Sequence, residues 1–144
     1  MTCIARNEGA PLRTARDLAE ESHVPISTVS KLLKALLQRG LLASQRGTKG
    51  GYVLAKDPHH ISLIEIIAAF EGPMALTDCS SDVSGLCNIE AGCPIKTNQR
   101  IINQAVRGVL EKVMLSDLIH PLQLTTIKDA RGNAVPTIAS GRIQ

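Results

Sequence analysis

The chain has 144 residues, 16 of them Lys or Arg and 13 Asp or Glu, a length that suits one ordinary domain or a small domain with an appendage and excludes two full enzyme domains. Apolar residues make up 44%, yet the only aromatics are Tyr52 and Phe70, so the core has to be built from Leu, Ile, Val and Ala, which favours helices packed on helices. The longest apolar stretch, 61–70, is broken by Ser62 and Glu65 and falls short of the roughly 20 residues of a membrane span. The first ten residues carry Arg6, Asn7 and Glu8 where a secretory signal has its apolar centre, so the expected location is the cytoplasm, with no membrane partner.

Residues 1–6 read as the last turns of a helix, broken at 7–11 by Asn-Glu-Gly-Ala-Pro. Thr14 with Asp17 three residues on forms a capping-box pattern that opens a short helix running to Pro25. Ser27 is the expected N-cap of a second helix, with Val29, Leu32, Leu33, Leu36 and Leu37 on one face and a stop at Gly40. Its other face carries Thr28, Ser30, Lys31, Lys34 and Gln38. The period then changes: 41–45 and 52–55 read as two strands of a hairpin around Arg46-Gly47-Thr48-Lys49-Gly50-Gly51. Ser62 and Glu65 form a second capping box, and the apolar helix behind them ends at Gly72-Pro73. Residues 74–93 have neither period. A long helix over 94–115 follows, with Ile95, Ile102 and Val109 spaced by seven and Gln99, Val106 and Val113 offset by four. At 1.5 Å per residue it would reach about 33 Å, more than the small domain can cover, so part of its apolar face needs another partner. From His120 onward the periodicity is lost, and 120–144 reads as a flexible tail. The expected organisation is a DNA-binding unit over 1–58, a connecting helix over 59–73, a cysteine loop over 74–93, a dimerisation helix over 94–119 and the tail.

Charge is unevenly placed. No acidic residue occurs in 22–56, which holds Lys31, Lys34, Arg39, Arg46, Lys49 and Lys56. Residues 1–58 carry a net +4 and the remainder −1, a split that gives the two parts different partners. Two short helices joined around His23-Val24-Pro25, the second with a polar, basic outer face, followed by a hairpin with a basic tip, make the winged helix-turn-helix pattern. The second helix can enter a major groove with its first turn foremost, which makes Ser27, Thr28, Ser30 and Lys31 candidates for base edges and phosphates and Lys34 for the backbone. In the hairpin, Arg46 and Lys49 can neutralise phosphates, while Gly47, Gly50 and Gly51 permit close approach to the sugar-phosphate wall. The expected partner is double-stranded promoter DNA. His23, His59 and His60 read as turn or surface residues, and Tyr52 as packing at the base of the hairpin.

Four cysteines in a reducing compartment point away from structural disulfides and toward metal binding or redox chemistry. Cys79, Cys87 and Cys93 read C-x7-C-x5-C among glycines and short polar residues, so one backbone can wrap three thiolates about a centre. These spacings do not match a structural zinc site. Iron–sulfur clusters accept thiolates at wider spacing, and inert thiols or a reversible disulfide remain alternatives. Cys3, in the apolar first helix, reads as a core residue. A small thiol redox enzyme is a distant alternative, because the chain has no C-x-x-C, no paired acid and base in an apolar pocket and no nucleotide loop.

Over nearly all of 1–115 the sequence resembles the Rrf2-type bacterial transcription regulators. The most specific match is Gly40-Leu41-Leu42-Ala43-Ser44 leading to Arg46-Gly47-Thr48-Lys49-Gly50-Gly51-Tyr52-Val53-Leu54-Ala55, with Pro58 behind it. Ile64-Glu65-Ile66-Ile67 to Phe70-Glu71-Gly72, and three cysteines before a long helix, complete it. Within the family the chain looks most like the regulators of SUF-type iron–sulfur cluster assembly. The resemblance implies a non-enzymatic, mainly α protein with a small β-hairpin, a winged helix-turn-helix domain plus a long dimerisation helix. It implies a homodimer joined through the 94–115 helix, a palindromic promoter as target, and an iron–sulfur cluster, 2Fe-2S before 4Fe-4S, held by Cys79, Cys87 and Cys93. A zinc or thiol-switch site in place of the cluster is the alternative. Some relatives add a histidine three residues after the last cysteine, where this chain has Lys96, and others a residue of the first helix. That helix reads as truncated here, since relatives usually begin further upstream.

Overall fold

The computed structural model describes residues 1–6, 12–47, 50–77, 87–89, 92–122 and 124–138. Helix α1 (Thr2–Ala5) leads to α2 (Ala15–Ser22) and α3 (Ile26–Gln38), then to an antiparallel hairpin of β1 (Leu42–Gln45) and β2 (Gly51–Leu54). A single 3-10 turn, Pro58–His60, precedes α4 (Leu63–Glu71); α5 (Lys96–Lys112) and a second 3-10 segment, Leu115–Ile119, follow. The chain's last described part is another hairpin, β3 (Leu124–Lys128) with β4 (Ala134–Ile138).

Both expected capping boxes form. The Thr14 hydroxyl accepts from the Asp17 N–H at 3.3 Å while the Asp17 carboxylate accepts from the Thr14 N–H at 2.8 Å. At α4, Ser62 accepts from the Glu65 N–H and the Glu65 carboxylate accepts from both the N–H and the hydroxyl of Ser62. Helix α3 closes on a paired C-terminal motif: Gly40, at φ +67°, donates to the Leu37 carbonyl and Leu41 to the Leu36 carbonyl, both at 3.0 Å. The glycine supplies the left-handed turn, and Leu41 is driven into the core as the motif's apolar seal. The start of α3 differs from expectation. Pro25, not Ser27, is its N-cap, with the Thr28 and Val29 N–H groups donating to the Pro25 carbonyl and no side-chain cap. Proline's fixed φ sets the entry, which leaves Ser27 and Thr28 free of capping duty.

The core joins Ile4, Ala5, Leu18, Val29, Leu33, Leu36, Leu41, Leu42, Ile61 and Leu115, with Cys3 and Tyr52 packed on its edge. Leu32, expected on the packed face of α3, stays exposed beside Phe70 in an apolar groove also lined by Met1 and Cys3. The winged part and the end of α5 are stitched by backbone: Leu63 donates to the Val113 carbonyl at 2.7 Å and Leu115 to the Ile61 carbonyl at 2.8 Å. Helix α5 is shorter than the expected 94–115, because Val113 leaves helical geometry to make this pairing.

The expectation of a flexible tail over 120–144 is corrected within the described residues, where β3 and β4 pair from Leu124↔Ile138 to Lys128↔Ala134. Two β-branched runs flank a turn in which Asp129 accepts from the Arg131 and Asn133 N–H groups at 2.8 Å and Gly132 takes φ +82°. Pro136 inside the second run masks the strand signal, since proline is tolerated only at sheet edges.

In the first hairpin, β2 also pairs outward, its Tyr52 N–H donating to the Arg13 carbonyl at 2.9 Å. A Cβ on Gly51 would lie 2.7 Å from that same carbonyl oxygen and 2.9 Å from Leu12 Cβ. Gly51→Ala is therefore expected to lower stability by about 1–3 kcal/mol, the usual cost of overpacking against backbone, readable as an earlier urea midpoint with an unchanged slope.

The hydrogen bonds from Ser62, assisted by Lys56 at 3.3 Å, hold the Glu65 carboxyl below its ordinary range. A carboxylate lowered in the folded state stabilises the fold above its unfolded pKa, and that contribution fades as pH falls through the folded value. Glu65→Gln should thus reduce the loss of stability between pH 7 and pH 3, measured by urea titration at each pH.

Candidate nucleic-acid interface and cysteine segment

Packing of Val29, Leu33 and Leu36 into the core fixes how α3 is turned. The opposite side then presents Ser27, Thr28, Ser30, Lys31 and Lys34 to solvent, all exposed. Among the described residues the ion pairs are Arg13–Glu21 and Lys56–Glu65, so Lys31, Lys34 and Arg46 belong to neither. The first turn has no side-chain cap, and its Ile26 and Ser27 N–H groups, which precede those bound to Pro25, together with the helix dipole favour anions.

Two expected contributors have additional roles inside the protein. The Ser30 hydroxyl donates to the Ile26 carbonyl at 2.8 Å, which leaves its oxygen free only to accept. Lys56, counted in the acid-free stretch, is paired with Glu65 and drawn toward α4. Gly50 is half-buried, donates its N–H to Gly47 at 2.9 Å, and would place a Cβ 2.4 Å from the Gln45 carbonyl oxygen. Its lack of a side chain is thus required by the hairpin's own turn. Arg46 is exposed at the hairpin's tip, whereas Lys49 lies outside the described residues. His23 ends α2 in a left-handed conformation at φ +54° and makes the turn between the two helices.

Cys87 and Cys93 are free, half-buried thiols, and Cys79 lies outside the described residues. Cys93 sits three residues before α5 and its carbonyl accepts from the Lys96 N–H at 3.3 Å. No group of three metal-ligating side chains occurs among the described residues. The donor set itself, partly buried thiols outside any disulfide among the described cysteines, suits iron, which takes thiolate ligands readily.

Helix α5 separates two apolar rows. Gln99, Asn103, Val106, Leu110 and Val113 turn inward, and Asn103 accepts from the Leu76 N–H at 3.0 Å. Ile95, Ile102 and Val109, the row spaced by seven, are exposed along with Ile101. The inward Asn103 and its bond to Leu76 were missed in the sequence, where an asparagine in mid-helix carries no sign of what it touches.

Residues 1–121 match the family model described as Rrf2, iron-dependent transcriptional regulator. The HTH-type transcriptional regulator IscR of Cronobacter sakazakii is 30% identical over 99% of this chain and 88% of its own. IscR of Serratia proteamaculans is 28% identical over 89% and 77%. Among solved structures, the global cysteine regulator CymR of B. subtilis superposes with a TM-score of 0.64 at 27% identity, over 82% of this chain and 85% of its own. CymR of Staphylococcus aureus gives 0.63 at 29%, over 85% and 90%. These relatives are regulators of transcription and not enzymes. No helix among the described residues is long and apolar enough to cross a membrane.

Proposed function

Because the chain belongs to the Rrf2 family of transcriptional regulators, we propose that it acts in the cytoplasm as a homodimer that binds palindromic promoter DNA and adjusts that binding to iron–sulfur cluster status, controlling genes of cluster assembly. The observation that carries this reading is the acid-free outer face of α3, with Ser27, Thr28, Lys31 and Lys34 exposed and turned away from the core. Placed in a major groove, the first turn of α3 offers the Ser27 and Thr28 hydroxyls to base edges or phosphates, Ser30 as an acceptor, and Lys31 and Lys34 to the backbone. The hairpin brings Arg46, and by sequence Lys49, to the flanking phosphates, with Gly50 keeping the turn narrow.

A single winged unit reads one half-site, and a palindrome calls for two units related by a two-fold axis. The exposed row Ile95, Ile102 and Val109 supplies an apolar seam at heptad spacing for a second copy. Cys79, Cys87 and Cys93 would hold the cluster, which when bound supplies sensitivity to oxidants and to iron supply. The cysteine segment lies between α4 and α5, and the backbone stitch at Ile61 and Leu115 joins α5 to the winged unit. A change in that segment therefore has a continuous route to the spacing of the two α3 helices. A thiol switch without iron is the second reading, favoured by the likeness to S. aureus CymR, which has been solved in an oxidised form.

Two measurements test these readings. The Lys31→Ala/Lys34→Ala double variant should weaken promoter binding and reduce the log–log salt slope by about 2, roughly 0.9 for each phosphate contact removed; an unaltered slope would refute the groove placement of α3. Cys87→Ser, purified without oxygen, should lose visible absorbance together with iron and sulfide. A wild-type protein that contains neither iron nor sulfide, yet changes DNA affinity on thiol oxidation, would establish the second reading instead.

A further inference from the structure

Asn103 is the one buried residue of α5, 6% exposed, in a helix whose other members are half-buried or open. An amide at such a position is costly unless its hydrogen bonds are made, and asparagine is a poorer helix former than the leucine an inward position would otherwise take. Its Oδ1 accepts the Leu76 N–H across 27 residues of sequence, at 3.0 Å. Leu76 lies five residues past the end of α4 and three before Cys79; on the far side, Cys93 is bound to the first turn of α5 through Lys96. The chain on both sides of the cysteine segment is thus fastened to one helix, at points about 10 Å apart along its axis, taking seven residues at 1.5 Å each.

We propose that Asn103 is a positioning residue for the cysteine segment: by accepting the Leu76 N–H it fastens the approach to the thiols onto α5, and so sets both the shielding of Cys87 and Cys93 and the transmission of their state to α5. This rests on the functional reading above for its consequence in DNA binding, but not for its own geometry. An apolar side chain of similar size leaves the Leu76 N–H unpaired in a partly buried place, where it will seek water. A carboxylate keeps the acceptor and the shape, with a charge in place of the amide's N–H donors.

The test uses the full-length, reduced, iron-free protein. In Asn103→Leu, amide hydrogen exchange over 74–77 should quicken at least tenfold and alkylation of Cys87 and Cys93 by iodoacetamide severalfold, with exchange in α2 and α3 as in wild type. Asn103→Asp should return both rates to within about twofold of wild type. Equal rates in wild type and Asn103→Leu would overturn the proposal, and so would failure of the aspartate to restore them. Neither readout involves DNA or iron, so a wild-type protein that binds neither sinks the functional reading while these rates still decide the role of Asn103. If promoter binding does respond to iron loading, that response should shrink in Asn103→Leu and recover in Asn103→Asp; a response of full size in the leucine variant would likewise overturn the proposal.

Discussion

Two backbone hydrogen bonds, Leu63 to Val113 and Leu115 to Ile61, fix the relation between the parts of this molecule. They lie where Ile61 and Leu115 are fully buried, and in so dry a place a missing partner would leave a desolvated polar group. The pairing ends α5, and it holds that helix against the start of α4. Arg6 adds a second fastening by donating through Nε to the Ile119 carbonyl at 3.1 Å. Helix α4 touches both α3 and α5, so the helix that carries the outward apolar row is joined to the helix that carries the basic face through α4.

The electrostatic plan follows from which cations are left without internal partners. Arg13 is taken by Glu21 and Lys56 by Glu65, each tying one loop to one helix. What remains on α3 is a pair of lysines one turn apart with hydroxyl groups in front of them. A high count of basic residues is thus sorted by the fold into structural and outward-facing members, and the outward-facing ones lie on the side of α3 that the core does not need.

How much of this was legible depended on whether a feature is local. The boxes at Thr14/Asp17 and Ser62/Glu65 involve residues three apart, so the pattern and the structure coincide. The stop at Gly40 was readable for the same reason. The cap of α3 was misplaced because proline's rigidity competes with the serine's hydroxyl, and the residue type alone does not rank them. The inward and outward rows of α5 differ by only a few tens of degrees around the helix. Their spacing was visible, but which row faces α4 is decided by tertiary packing. The β3–β4 hairpin is hidden in the sequence because Pro136 interrupts the strand pattern carried by the nine other residues of the two strands. The cysteine spacing narrows the ligand chemistry but not the centre, and the acceptor that binds the chain at Leu76, ahead of the cysteines, is an asparagine 27 residues away in sequence.

The close approach of the Arg13 carbonyl to Gly51, and of the Gln45 carbonyl to Gly50, has an evolutionary corollary. Selection on solubility alone would retain this pair of small residues in a descendant that had ceased to touch any promoter. A diglycine inherited at this bend therefore testifies to ancestry and architecture, while retained activity is to be judged from the lysines, which nothing in the scaffold obliges a lineage to keep.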